Sequence, residues 1–151
     1  MLLKTPNLFS YSVKKEVNLM IEDILMQCFE SCDLKDKLLA YVKEKYGTVL
    51  DFPWKNDPAS GTLKTSITNK WYGLFMSVPY KCLKIEKEGW INILNVKNKP
   101  EKIKSLIDNE YYFSAYHMKK KYWITVLLDN TLEIEQVKTL LDESYQLVNN
   151  K

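Results

Sequence analysis

Few side chains in this chain have the chemistry to act on another molecule. Cys28 and Cys32 stand at i, i+4 on one helical face, which is a possible metal-ligand spacing. Zinc wants four ligands drawn from Cys, His and carboxylates, and the soft candidates left are Cys82 and His117, which form no paired motif. The residues predict no metal or other cofactor. Nucleophilic catalysis needs a base beside the nucleophile, and His117 is the single histidine. Between Tyr116 and Met118, just before a strand, it is expected to be a partly buried ring that hydrogen-bonds backbone and orders the entry to Trp123. No phosphate-cradling glycine loop is present. The chain is therefore expected to be non-enzymatic.

Cations are abundant instead. All 22 basic residues are lysine. From Ala59 to Leu128, 12 lysines stand against 5 acidic residues, a net of +7, while the flanking segments net −1 and −3. Lys119, Lys120 and Lys121 lie between Tyr116 and Tyr122, and Lys64, Lys70, Lys97 and Lys99 fall near strand ends or turns. Lysines among aromatics suit phosphates and bases, because ammonium groups displace the counterions of a nucleic acid. The expected nucleic-acid-binding set is Lys64, Lys70, Lys97, Lys99, Tyr116, His117, Lys119, Lys120, Lys121 and Tyr122. Without arginine, whose planar fork matches the guanine edge, binding to DNA is expected to be weak, salt-sensitive and largely nonspecific. Two rival expectations stand beside it: a lysine-rich solvated surface with no ligand, and a protein-interaction module that meets a partner or itself through the N-terminal helix or an aromatic sheet face. Trp54, Trp71, Trp90 and Trp123 are candidates to line a binding concavity, but at strand positions they are expected to build the core.

The elements that must position these residues are legible from period. Val13, Val17, Met20, Ile21, Ile24, Leu25 and Cys28 share a helical face, with Ser12 as cap. Leu34, Leu38, Val42 and Tyr46 mark a second helix, capped by Asp33 and ended by Gly47. Leu63, Thr65 and Ile67 alternate with polar residues as a half-buried strand does. Asn69-Lys70 turns into a strand from Trp71 to Val78, stopped by Pro79. Further strands are expected at Trp90–Val96 and Tyr122–Leu128. Pro100 opens a short helix burying Ile103, Leu106 and Ile107, and a last helix runs from about Leu132 to Val148. Hairpin-length links give an α+β fold with an antiparallel sheet backed by helices. The domain plan is a helical extension over 1–32 and one domain over 33–151. No apolar run is long enough to cross a bilayer, and Met1–Ser10 lacks a secretory pattern. With three scattered cysteines, the expected compartment is the cytoplasm.

Several motifs also resemble one family. Tyr41-Val42-Lys43-Glu44-Lys45-Tyr46-Gly47-Thr48 with Asp51-Phe52-Pro53-Trp54, then Lys70-Trp71-Tyr72-Gly73-Leu74-Phe75-Met76, are similar to the opening and central strand of the MmcQ/YjbR domain. Asn95-Val96-Lys97 with Pro100, Ala115-Tyr116-His117-Met118, Trp123-Ile124-Thr125-Val126 and Leu141-Asp142-Glu143-Ser144-Tyr145 follow in order. The resemblance covers about Asp33 to Val148. It implies a CyaY-like α+β fold, DNA binding through a double-wing arrangement, and no assigned reaction. The chain departs from the pattern where Lys119, Lys120, Lys121 and Tyr122 replace the usual Asn, Lys, Arg and His, and where Lys99 replaces an Asp. Both changes add positive charge and remove polar groups suited to reading bases.

Overall fold

The computed structural model describes residues 33–149. Cys28, Cys32 and the amphipathic helix expected near 13–29 lie outside the described residues. Leu34, Leu38 and Val42, four apart, form the buried stripe of α1 (Leu34–Tyr46). It stops at Gly47, whose φ of +70° lets its N–H close on the Lys43 carbonyl.

Five strands follow: β1 (Gly61–Lys64), β2 (Trp71–Pro79), β3 (Trp90–Lys97), β4 (Tyr112–Ser114) and β5 (Trp123–Leu127). They make one antiparallel sheet in the order β1-β2-β3-β5-β4. Helix α2 (Pro100–Leu106) joins β3 to β4, and α3 (Ile134–Asn149) closes the domain. The fold is α+β, as expected. Among the described residues no helix is long and apolar enough to cross a membrane.

Pleat alternation gives the sheet two different faces. On one, Phe75, Leu94, Val96, Ile124 and Val126 meet Leu38 and Val42 of α1 and Val137, Leu140 and Leu141 of α3. On the other, Val78, Ile93, Phe113 and Leu127 form a smaller core under Leu83, which comes from a 3-10 turn at Tyr80–Leu83. That turn and β4 were not legible in the sequence. Ser144 joins helix to sheet: its buried hydroxyl donates to the Tyr72 carbonyl at 2.6 Å and accepts the Lys97 N–H at 2.9 Å.

Two expectations need correction. The first strand ends at Lys64, not past Ile67. The Thr65 hydroxyl accepts the Thr68 N–H at 3.2 Å and the Thr65 carbonyl accepts the Asn69 N–H at 2.9 Å, so a side-chain-capped turn displaces the ladder. Ile67 is left exposed on it. The tryptophans do not all build the core: Trp123 is buried, Trp71 half-buried, Trp90 67% exposed, and Trp54 lies in the loop before β1, 38% exposed.

Candidate nucleic-acid interface

Strand register decides where the lysines go. Lys64, the last residue of β1, pairs with Trp71, the first of β2. Lys97, the last of β3, pairs with Trp123, the first of β5, and Ser114 at the end of β4 pairs with Ile124. Antiparallel order thus brings Lys64, Lys70, Lys97, Lys99 and Lys119 to Lys121 to one end of the sheet. Segments far apart in the chain become one lysine rim.

Its members differ in electrostatic surroundings. Lys64 Nζ lies 2.8 Å from Asp51 Oδ2 and holds that carboxyl below its usual range. The Lys120 ammonium donates to the Ala115 carbonyl at 2.7 Å, which ties down its stem but leaves its charge uncompensated. Lys119 and Lys121 sit 5.6 and 5.5 Å from the Tyr122 ring, in cation–π range. Beside Lys99, the α3 edge is acidic: Glu143 accepts from the Asn98 amide at 3.1 Å and faces Lys102 at 3.7 Å. Among the described residues, Lys70, Lys97, Lys99, Lys119, Lys120 and Lys121 form no ion pair. The uncompensated charge is densest at Lys119–Lys121.

The loop carrying those three lysines is held on the second face of the sheet. The Tyr116 N–H donates to Thr125 Oγ1 at 2.8 Å, and Asn95 Nδ2 donates to the Tyr116 carbonyl at 3.3 Å. The Thr125 hydroxyl in turn donates to Asn95 Oδ1, and both side chains are fully buried. A satisfied buried network of this kind fixes one loop position. It also corrects the role expected of His117. That ring is exposed, at a backbone φ of +59°, and lies edge-on to Tyr116 with ring centres 4.0 Å apart. The Tyr116 main chain, and the Lys119 carbonyl accepting from the Tyr122 and Trp123 N–H groups, order the entry to β5 instead. The Tyr116 phenol is pushed up by its hydrogen bond with the exposed Cys82 thiol and by burial.

Beside the rim lies a cleft of about 510 Å³. Trp71, Leu74 and Met76 of β2 line it, with the Trp54–Asp57 loop and His117–Met118. Trp54 and Trp71 meet perpendicularly, centroids 5.6 Å apart and planes at 79°. Of the predicted site residues, His117 alone lines this cleft. Lys70 and Lys119 are chain neighbours of Trp71 and Met118.

The Tyr41–Thr48 and Leu141–Tyr145 motifs serve the fold. Tyr46 and Tyr41 donate to Asp142 at 2.6 and 2.7 Å, and Lys45 reaches the same carboxylate at 3.0 Å. Tyr46 stacks on Tyr145 with centroids 3.7 Å apart, clamping α1 to α3. Burial acts to raise the Asp142 carboxyl, but the hydrogen bonds from Tyr46, Tyr41 and Lys45 prevail and hold it below the usual range.

The YjbR family model matches residues 43–147. The uncharacterized protein YyaQ of Bacillus subtilis (strain 168) is 36% identical over 113 residues, which span 75% of this chain and 96% of that protein. A crystal structure of a Pseudomonas syringae protein has a TM-score of 0.72 at 33% identity, covering 75% of this chain and 97% of the other. A Deinococcus radiodurans structure described as a DUF419 domain has a TM-score of 0.61 at 26% identity, covering 79% of this chain and 80% of its own. Motif order, sheet topology and these similarities agree: the chain belongs to the YjbR family.

Proposed function

We propose that this protein is a non-enzymatic, cytoplasmic nucleic-acid-binding protein that grips phosphates, DNA phosphates foremost, with the lysine rim. The observation that carries the reading is the convergence of Lys64, Lys70, Lys97, Lys99 and Lys119–Lys121 on one end of the sheet. Ammonium groups act on phosphates as point charges and release counterions, so affinity comes without base reading. Binding is weak and largely nonspecific. The strongest contribution comes from Lys119–Lys121, held by the Tyr116 network, and the weakest from Lys64, already paired with Asp51. The test is fluorescence anisotropy of a labelled duplex at about 50 mM salt, where counterion release is strong. Wild type binds in the micromolar range, and Lys119→Glu, Lys120→Glu and Lys121→Glu each weaken it severalfold. Equal binding by wild type and all three variants, or no wild-type binding, refutes the reading.

A second reading, a protein-binding surface, draws on the exposed Val49, Phe52 and Trp54 in the segment before β1. It predicts a partner whose capture is lost in Phe52→Ala and kept in the lysine variants.

A further inference from the structure

The geometry points to the Trp54–Trp71 cleft as a seat for one unpaired base of a single-stranded nucleic acid, which makes single strands, not duplexes, the preferred ligand. This rests on the phosphate-binding reading of the rim and extends it. A volume of about 510 Å³ falls within the range of sites that hold small ring ligands. The perpendicular indoles form a corner. A planar ring lying on the face of one indole presents its edge to the face of the other, and both arrangements are favoured between aromatic systems. Met76 and Met118 add polarizable side chains that adapt to a flat ring, and Asn56 and Asp57 put hydrogen-bonding groups at the margin.

Charge selects the occupant. Perpendicular tryptophans beside one carboxylate also resemble a cage for an organic cation. Here Lys55 lines the same cleft, while Lys70 and Lys119 adjoin two of its walls. The Lys55 ammonium offsets the Asp57 carboxylate, so the cleft holds no net charge to draw in a cation, and the lysine rim beside it attracts the phosphates on either side of an inserted base. Asp57 is also engaged, accepting the Ser60 hydroxyl at 2.5 Å. A base inside a duplex cannot reach this corner without leaving its stack, which costs a few kcal/mol, whereas a single strand offers its bases freely.

The experiment compares three labelled ligands of equal length on the full chain at low salt: an oligothymidylate, the same backbone with abasic sites throughout, and a duplex. Wild type is expected to bind the oligothymidylate about tenfold more tightly than either of the others, as one stacked base allows. Tryptophan emission is expected to be quenched by the oligothymidylate alone. Trp54→Ala is expected to lower oligothymidylate affinity to the abasic level and leave duplex affinity unchanged, and Trp54→Phe to restore most of the loss. Equal affinity for oligothymidylate and abasic strand, unaffected by Trp54→Ala, overturns the base seat and leaves the rim intact. Failure of all three ligands to bind overturns both.

Discussion

At the scale of single residues, one serine hydroxyl on α3 ties the helix to two strands. Ser144 satisfies a strand carbonyl and a strand N–H at the rim end of β2 and β3. Ser144→Ala leaves both groups unpaired in a buried site and is expected to cost about 1–3 kcal/mol, read as a lower urea midpoint at unchanged slope. An unchanged midpoint contradicts this role. Asp142 carries a pH prediction. Its folded pKa lies below the ordinary 3.8, so its contribution is present above that value and is lost as pH falls through the folded pKa. Asp51, Asp108 and Asp129 are lowered as well and act in the same window. Asp142→Asn is therefore expected to be less stable at pH 7 and to lose stability less steeply than wild type below about pH 4. Urea melts from pH 2 to 7 check it, and parallel profiles contradict it.

At the scale of elements, periodicity made α1, β2, β3 and α3 legible, because each is long enough to show its buried face. Leu34, Leu38 and Val42 on α1, and Val137, Leu141 and Val148 on α3, fall where their spacing predicts. The three-residue β4 is too short to alternate, and the 3-10 turn after Pro79 follows from tertiary packing of Leu83. Thr65 and Ile67 alternate as a strand does, yet a hydroxyl-capped turn wins there. At the site, the Lys119–Lys121 run could be read directly, whereas its meeting with Lys64, Lys70 and Lys97 required strand register. A concavity at the tryptophans was only the lesser alternative to a core, because Trp54 and His117 come from separate loops that tertiary structure brings together. The loop from Ala115 to Tyr122 carries the element-scale prediction. Asn95→Ala removes the acceptor of the Thr125 hydroxyl and one anchor of Tyr116, so stability is expected to fall by about 1–3 kcal/mol. Amide exchange across 116–123 is expected to quicken well beyond that in α3, and uniform exchange contradicts a local clasp.

At the scale of the whole molecule, one sheet end collects positive charge while the α3 edge beside Lys99 carries Asp142 and Glu143. The middle of the chain nets +7 within a protein of net +3, so positive charge is concentrated in the segment that carries the rim lysines. The YjbR fold supplies the frame for that surface, and register gathers the lysines upon it.

The most direct measurement is the affinity for a labelled DNA as a function of salt, for wild type and for the Lys119→Ala, Lys120→Ala, Lys121→Ala triple variant. With about five lysines each neutralising one duplex phosphate, log K is expected to fall against log salt with a slope of about −4 to −5, and the triple variant to flatten it by about 2–3. A slope near zero, or one the variant leaves unchanged, contradicts a phosphate-gripping rim.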